Sequence, residues 1–412
     1  MDSEVKNDSC PGKTRKVIEF FGLKRSIVGL LGMVILVGVG EKMAERFLPL
    51  YLLALSGMMF LPGILNALTN LLSALYSLPG AWLADRCGSK RSLLIFNLIA
   101  MLGFMIVIVV PSWPAVFVGS FFFLSWTAIS LPAVMDVVAQ TLPKNKRTMG
   151  VSLHSLVRRI PMALGPVLGG ILIDCYGIER GIRLAFGCAL LLAGVAAVIQ
   201  QKMIQDDHRR NPDAEHPFAM ATAMLRLMTP NLRNLLTADI LIRFCEQIPY
   251  AYLAVWAMQT ATGAHVNGTQ FGVLTAIEMT VAVLVYIPVA WLADRGNKKP
   301  YVVAIFIFFT LFPLVLLFSR SFWMLVLAFV LRGLKEFGEP TRKALIMDLA
   351  PEDRKAAMFG TYYLCRDVIV TVGAGLGAWL WTISPATNLL TAFAFGVMGT
   401  LWFALRGREV TH

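Results

Sequence analysis

Twelve apolar stretches of bilayer length, separated by short polar connections, constrain this chain more than any other feature. A backbone in lipid must satisfy its own hydrogen bonds, so about 20 mainly apolar residues in a row fold as a transmembrane helix. The stretches fall at 26–54, 60–84, 92–111, 114–138, 149–173, 182–203, 233–258, 268–292, 300–318, 321–346, 356–382 and 387–405. Barrel strands would instead read as short segments of alternating polarity. With 57% hydrophobic and 15% charged residues, the chain cannot be disordered, collagenous, a disulfide scaffold or an ordinary soluble enzyme. Residues 1–25 are polar and basic and carry no small-residue cleavage site, so no cleavable signal peptide is expected. The fold class expected is an all-α membrane protein.

A net charge of +12 raises the question of nucleic acid, and the distribution of the cations answers it. Lys and Arg crowd the N-terminal tail, the C-terminus and the loops after even-numbered spans, whereas Arg180, Arg183 and Arg320 alone mark the opposite loops. By the positive-inside rule both termini are cytoplasmic in a multi-pass protein of the cell (inner or plasma) membrane. The excess charge is a topology signal and implies no nucleic-acid partner. The six cysteines are scattered and form no Cys-x-x-Cys pair, so neither a zinc nor an iron–sulfur site is expected. Asn267-Gly268-Thr269 fits a glycosylation acceptor, a common tripeptide with little weight of its own.

An internal repeat organises the chain. Residues 78–91, LPGAWLADRCGSKR, return as IPVAWLADRGNKK at 287–299, and LVRRIPMALGPVLGG at 156–170 is echoed by LCRDVIVTVGAGLGA at 364–378. The second echo aligns Arg158 with Arg366, Gly165 with Gly373 and Gly169 with Gly377. Two homologous six-helix halves follow, oriented alike because the offset covers an even number of spans. The boundaries read as a tail at 1–25, a first bundle at 26–203, a linker at 204–232, a second bundle at 233–405 and a tail at 406–412.

Two six-helix halves, each with Asp-Arg and trailing basic residues after its second span, resemble the major facilitator superfamily. Leu83, Ala84, Asp85, Arg86, Gly88 and Lys90 match that family's loop signature; Ser89 replaces a basic residue, and the second copy, at Asp294 and Arg295, lacks one residue. The resemblance implies that Asp85, Arg86, Asp294 and Arg295 form a conformational latch; a solvated turn obeying the charge rule is the plain alternative. Gly165-Pro166-x-x-Gly169-Gly170 in span five is similar to a motif of proton-coupled antiporters in this superfamily, and helix packing explains it equally. GEKMAERF in span one also resembles the E-x-x-E-R-F of proton-coupled peptide symporters. Its first Glu lies four residues before the second and no Tyr-Tyr-Gly follows, so that substrate is not transferred.

Charge at the bilayer centre costs roughly 2.5–3.5 kcal/mol per residue on insertion scales, so intramembrane charges must face an interior. Lys42–Glu45 and Arg243–Glu246 are spaced i,i+3, and Arg332–Glu336 and Lys335–Glu339 i,i+4, which puts partners on one helix face. Glu278 has no cation within a turn, and Arg158 and Arg159 no acid. Glu41, Glu45, Glu246 and Glu278 are the proton-coupling candidates. Arg158, Arg159, Arg243, Arg332, Glu336, Arg366, Asp367, Trp126 and Tyr250 are the candidates for a central cavity. Arg158 and Arg366 could clamp a carboxylate or phosphate, or be satisfied by acids such as Asp367.

The expected function is secondary active transport of a small organic solute by alternating access, in a monomer, with the proton gradient as energy source and no cofactor. No Walker motif and no catalytic constellation occur, so neither ATP drive nor enzyme activity is expected. Proton-coupled export by antiport is the first reading. A proton-coupled symporter or exchanger of an organic anion is the second, and a non-transporting receptor or scaffold the third.

Overall fold

The computed structural model describes residues 25–124, 126, 130, 133, 134, 137, 157–204, 225–259, 264–293, 298–336, 339–351 and 355–407. Among them there are helices and no strands. The first half contributes α1 (Arg25–Glu45), α2 (Leu48–Ser56), α3 (Leu61–Cys87), α4 (Ser89–Val109), α5 (Trp113–Phe123), α6 (Arg159–Tyr176) and α7 (Ile178–Met203). The second contributes α8 (Pro230–Tyr250), α9 (Leu253–Met258), α10 (Gly268–Ala293), α11 (Lys298–Phe318), α12 (Phe322–Leu334), α13 (Glu339–Leu349), α14 (Lys355–Ile383) and α15 (Pro385–Arg406). Eight described helical segments are long and apolar enough to cross a bilayer, and α5 and α12 are shorter apolar helices. In α3 and α8 polar residues such as Asn66, Asn70, Asp239 and Arg243 interrupt the apolar face. The architecture is all-α, with twelve transmembrane helices in two six-helix halves.

Three spans that read as single helices are each built from two pieces: α1 with α2, α8 with α9, and α12 with α13. A proline lies at each interruption, and proline has no N–H to give the carbonyl four residues back. Pro49 stands at the start of α2, Pro249 at the end of α8 and Pro340 at the start of α13. Phe47 and Tyr252, at matching places in the two repeats, sit near φ −106° and −102° with ψ close to zero. α2 closes on Gly57, whose φ of 68° lets its N–H reach the Leu53 carbonyl.

The halves meet along two helix pairs, α6 with α10 and α3 with α14, so each repeat offers its fifth span to the other's second. Within each half the fifth span also packs on the first. A Cβ added at Gly169 would stand 2.0 Å from the Met43 carbonyl oxygen, and one at Gly377 2.2 Å from that of Ile248. The repeat seen in sequence is therefore a repeat of backbone contacts. At the end of the bundle remote from Arg25 and Arg406 the halves touch closely. There a Cβ at Gly170 would come within 2.2 Å of the Gly268 carbonyl oxygen, and one at Gly63 within 2.5 Å of the Ala378 Cβ.

Candidate functional site

Between the halves lies a cavity of about 380 Å³, within the range of small-molecule sites. It opens where α1, α8 and α12 are interrupted: Glu45 and Arg46, Tyr250, and Lys335 and Glu336 all line it. Helix ends at membrane depth release backbone groups and bring charge to a protein-lined space, where irregular backbone is tolerated. Seven cationic side chains (Arg46, Arg158, Arg159, Arg243, Arg332, Lys335 and Lys343) and four glutamates (Glu45, Glu246, Glu278 and Glu336) share the wall.

Most of the charge is paired. Lys42 binds Glu45 and stands 3.4 Å from Glu41, within α1. Arg243 reaches Glu246 at 2.6 Å within α8, and Lys335 binds the other oxygen of Glu246. Glu278, which needed a partner from another helix, lies 3.1 Å from Arg332 on α12. Arg159 bonds Glu336 across the halves at 2.8 Å. Helix α12 ends at Leu334, so the i,i+4 spacing expected for Arg332 and Glu336 is not carried by a continuous helix. The Glu339 side chain lies outside the described residues.

Tyr250 joins the halves at the broken first and seventh spans. Its hydroxyl accepts from Arg46 at 2.9 Å, and the guanidiniums of Arg46 and Arg332 stand 5.3 and 5.4 Å from its ring centroid. Such cation–ring contacts contribute about 0.5–2 kcal/mol each, more where water is excluded. Beside it an amide cluster crosses the interface, in which the Asn66 and Asn70 side-chain amides donate to the Gln247 Oε1 at 3.2 and 3.1 Å.

Arg366 and Asp367 stand apart from this cavity. Arg366 is buried in the second half, 2.7 Å from Asp367 and 3.4 Å from Asp239. Asp239 also binds Arg342 and accepts from the Tyr362 hydroxyl at 3.2 Å. Arg158 and Arg366 thus occupy matched repeat positions in different surroundings, because Asp239 has no acidic counterpart in the first half: Val34 stands there by the register that matches Met43 with Ile248 and Phe47 with Tyr252. Trp126 and Glu41 line a separate small pocket that Arg158 shares. Arg86 is exposed at the end of α3; the Asp85 side chain, and Asp294 and Arg295 entirely, lie outside the described residues.

Sequence reasoning overlooked Asp239, Asn66, Asn70, Gln247 and Asp174. The signal for two of these groups was available: Asp239, Arg243 and Glu246 are spaced i, i+4, i+7, and Asn66 and Asn70 i, i+4, each a single helix face.

No curated protein sequence matches this chain. Among solved structures, a POT family transporter in complex with 5-aminolevulinic acid superposes with a TM-score of 0.77 at 13% identity, covering 94% of this chain and 96% of that one. A variant of peptide transporter POT in complex with alafosfalin gives 0.75 at 16% identity, covering 95% and 97%. A variant of the nucleoside transporter NupG gives 0.78 at 11% identity, covering 93% and 100%. At these identities the likeness is one of fold. The family description "Major Facilitator Superfamily" matches residues 30–263 and 235–412, one stretch for each repeat, and the chain belongs to that family of transporters.

Proposed function

We propose that this transporter moves a small organic anion in a proton-coupled cycle, with Arg158 and Arg46 receiving the anionic group and Glu41 carrying the proton. One observation carries the reading: cations outnumber acids on the cavity wall, and neither Arg158 nor Arg46 has a carboxylate within bonding distance among the described residues. A guanidinium offers a planar fork of donors that suits a carboxylate or phosphate. A cationic drug would meet an excess of like charge, which speaks against export of that class. Gly165, Gly169 and Gly170, the motif that suggested antiport, all have backbone neighbours within packing distance, at Lys42, Met43 and Gly268. They support close helix packing and carry no direction.

Alternating access then needs two closures. The close contacts at Gly63 and Gly170 belong to the end remote from the termini, so with cytoplasmic termini, as the cation distribution favours, this is a state closed to the outside. The Arg159–Glu336, Arg46–Tyr250 and Gln247–asparagine contacts cross between the halves and must be remade when the bundles rock.

The test is solute-driven pH change in proteoliposomes, using a panel of carboxylates, phosphates, amines and neutral solutes that includes 5-aminolevulinic acid and alafosfalin. Anions should move, with protons in the same direction for symport and the opposite direction for antiport. Movement of amines alone would refute the anion reading, and movement of nothing would refute transport.

A further inference from the structure

Behind Arg158, away from the central cavity, lies a second pocket of about 30 Å³ walled by Glu41, Lys42, Trp126, Ser130 and Arg158 with apolar neighbours including Pro161 and Met162. Arg158 and Met162 line both spaces and so form the partition between them. Three of the polar groups are deeply buried: Glu41 is 4% exposed, Trp126 5% and Ser130 1%. Two of their atoms, Glu41 Oε2 and Trp126 Nε1, have no hydrogen-bond partner among the described residues. Leaving a buried donor or acceptor unmade is unfavourable, and more so for a charged one. A carboxylate oxygen and an indole N–H, each carried by a residue that lines the same small space, are complementary to one molecule that accepts from one and donates to the other. A water needs about 10–15 Å³ of such volume and two to four polar partners, and this pocket supplies both.

We propose that the pocket holds water and that this water carries protons between Glu41 and the central cavity, with Trp126 as a positioning residue. The inference rests on the reading of Glu41 as proton carrier. Indole N–H can only donate, so a water bound to it turns a lone pair toward Trp126 and its hydrogens toward acceptors, of which Glu41 Oε2 is the buried one. When Glu41 is protonated, its Oε2–H proton passes to a water lone pair. That water gives up a different proton toward the Arg158–Met162 partition and the solvent of the central cavity. A carboxylate and neutral water remain, and the reverse sequence reloads the acid. The charged groups around Glu41 are Lys42 and Glu45 on its own helix and Arg158 facing it across the pocket. Lys42 balances one of the two glutamates, so Arg158 is the cation that answers the remaining negative charge. An anion that engages Arg158 from the central cavity weakens that balance and favours a proton on Glu41, which links solute and proton one to one.

Two measurements that need no solute test this on the full chain in nanodiscs or supported membranes. X-ray radiolytic footprinting in ¹⁸O-water labels side chains beside ordered water, and Trp126 and Met162 should take up ¹⁸O that persists through brief dilution into ordinary water. Glu41→Gln and Trp126→Phe should each lower the labelling of Met162 at least threefold. A pH step applied to the membrane-bound protein should give a transient charge displacement that Glu41→Gln abolishes and Trp126→Phe slows at least fivefold, with the thermal midpoint of Trp126→Phe unchanged. Absence of the ¹⁸O label overturns the water site. Full-speed charge displacement in Trp126→Phe overturns the relay even in a wet pocket. If the wild type gives no displacement at all, proton coupling itself fails, while the footprint still reads the water independently.

Discussion

Arg158 is the residue on which the proposed substrate chemistry turns, since it lines the central cavity and the small pocket together. A hydrogen bond to a charged group contributes about 1.5–3 kcal/mol, so Arg158→Ala should raise the KM for a transported anion roughly 10- to 100-fold. Arg158→Lys should recover part of that loss, and neutral solutes should be unaffected. Glu41→Gln should abolish proton-driven accumulation while shifting the thermal midpoint by no more than about 3 °C, on the order of 1 kcal/mol; coupling that survives would eliminate Glu41 as carrier. Asp239 has a different task. It is fully buried between Arg342 and Arg366, and removing one partner of a buried pair costs about 3–5 kcal/mol. Asp239→Ala should therefore lower the thermal midpoint markedly, and adding Arg342→Met should restore part of it. Equal loss in the single and double variants would show that the pair is not the source.

At the scale of elements, the junction of α6 with α10 shows how one helix end can hold two halves together. Asn267 Oδ1 accepts from the Gln270 N–H at 2.7 Å while Gln270 Oε1 accepts from the Asn267 N–H at 3.0 Å, a reciprocal cap. The next two amides, Gly268 and Thr269, donate to Asp174 of the other half at 2.7 and 2.8 Å, and the Thr269 hydroxyl adds a third bond at 2.6 Å. The first donors of α10 are thus satisfied partly across the interface, and the carboxylate sits at the favourable end of the helix dipole. Asp174 is exposed, so Asp174→Asn should loosen this end only a few-fold. Gly170→Leu should act more strongly, because its side chain would have to displace the backbone at Gly268. A cysteine at Thr69, on the cavity wall, should react with impermeant maleimide from that side at least tenfold faster in Gly170→Leu. An unchanged rate would mean that the contact is not a gate. The same residues bear on the glycosylation tripeptide, since the Asn267 and Thr269 side chains are both engaged in this cap.

For the molecule as a whole, rocking of one bundle against the other requires the close contacts at the far end to separate. Cysteines replacing Gly63 and Ala378, whose Cβ positions are 2.5 Å apart, need only slight displacement to reach the 3.5–4.5 Å of a disulfide. Tested with Cys175 replaced by serine, the oxidised pair should stop solute flux and reduction should restore it. Flux that continues through the cross-linked protein would rule out separation at this contact as part of the cycle.

Lipid explains why so much was legible in the primary structure. A hydrocarbon solvent accepts only self-satisfied helices, so apolar run length dictates their number, basic loops carry a topology signal, and the copies of Ala-Trp-Leu-Ala-Asp-Arg reveal the halves. Proline positions alone do not mark the helix breaks, since Pro166, Pro288 and Pro313 lie inside unbroken helices; only the folded backbone showed Phe47 and Tyr252 leaving helical geometry. Pairing of the buried charges was decided by the tertiary structure. Arg159 and Glu336 lie 177 residues apart and Arg342 and Asp239 103 apart, so no local spacing joins them. Glu278 finds Arg332, and Arg366 finds Asp239 while its repeat partner Arg158 faces two cavities, because a midplane charge takes whichever partner the packing of neighbouring helices brings within reach. Sequence by itself determined that charges would be enclosed between two bundles; three-dimensional packing chose which were neutralised and which were left facing the cavity.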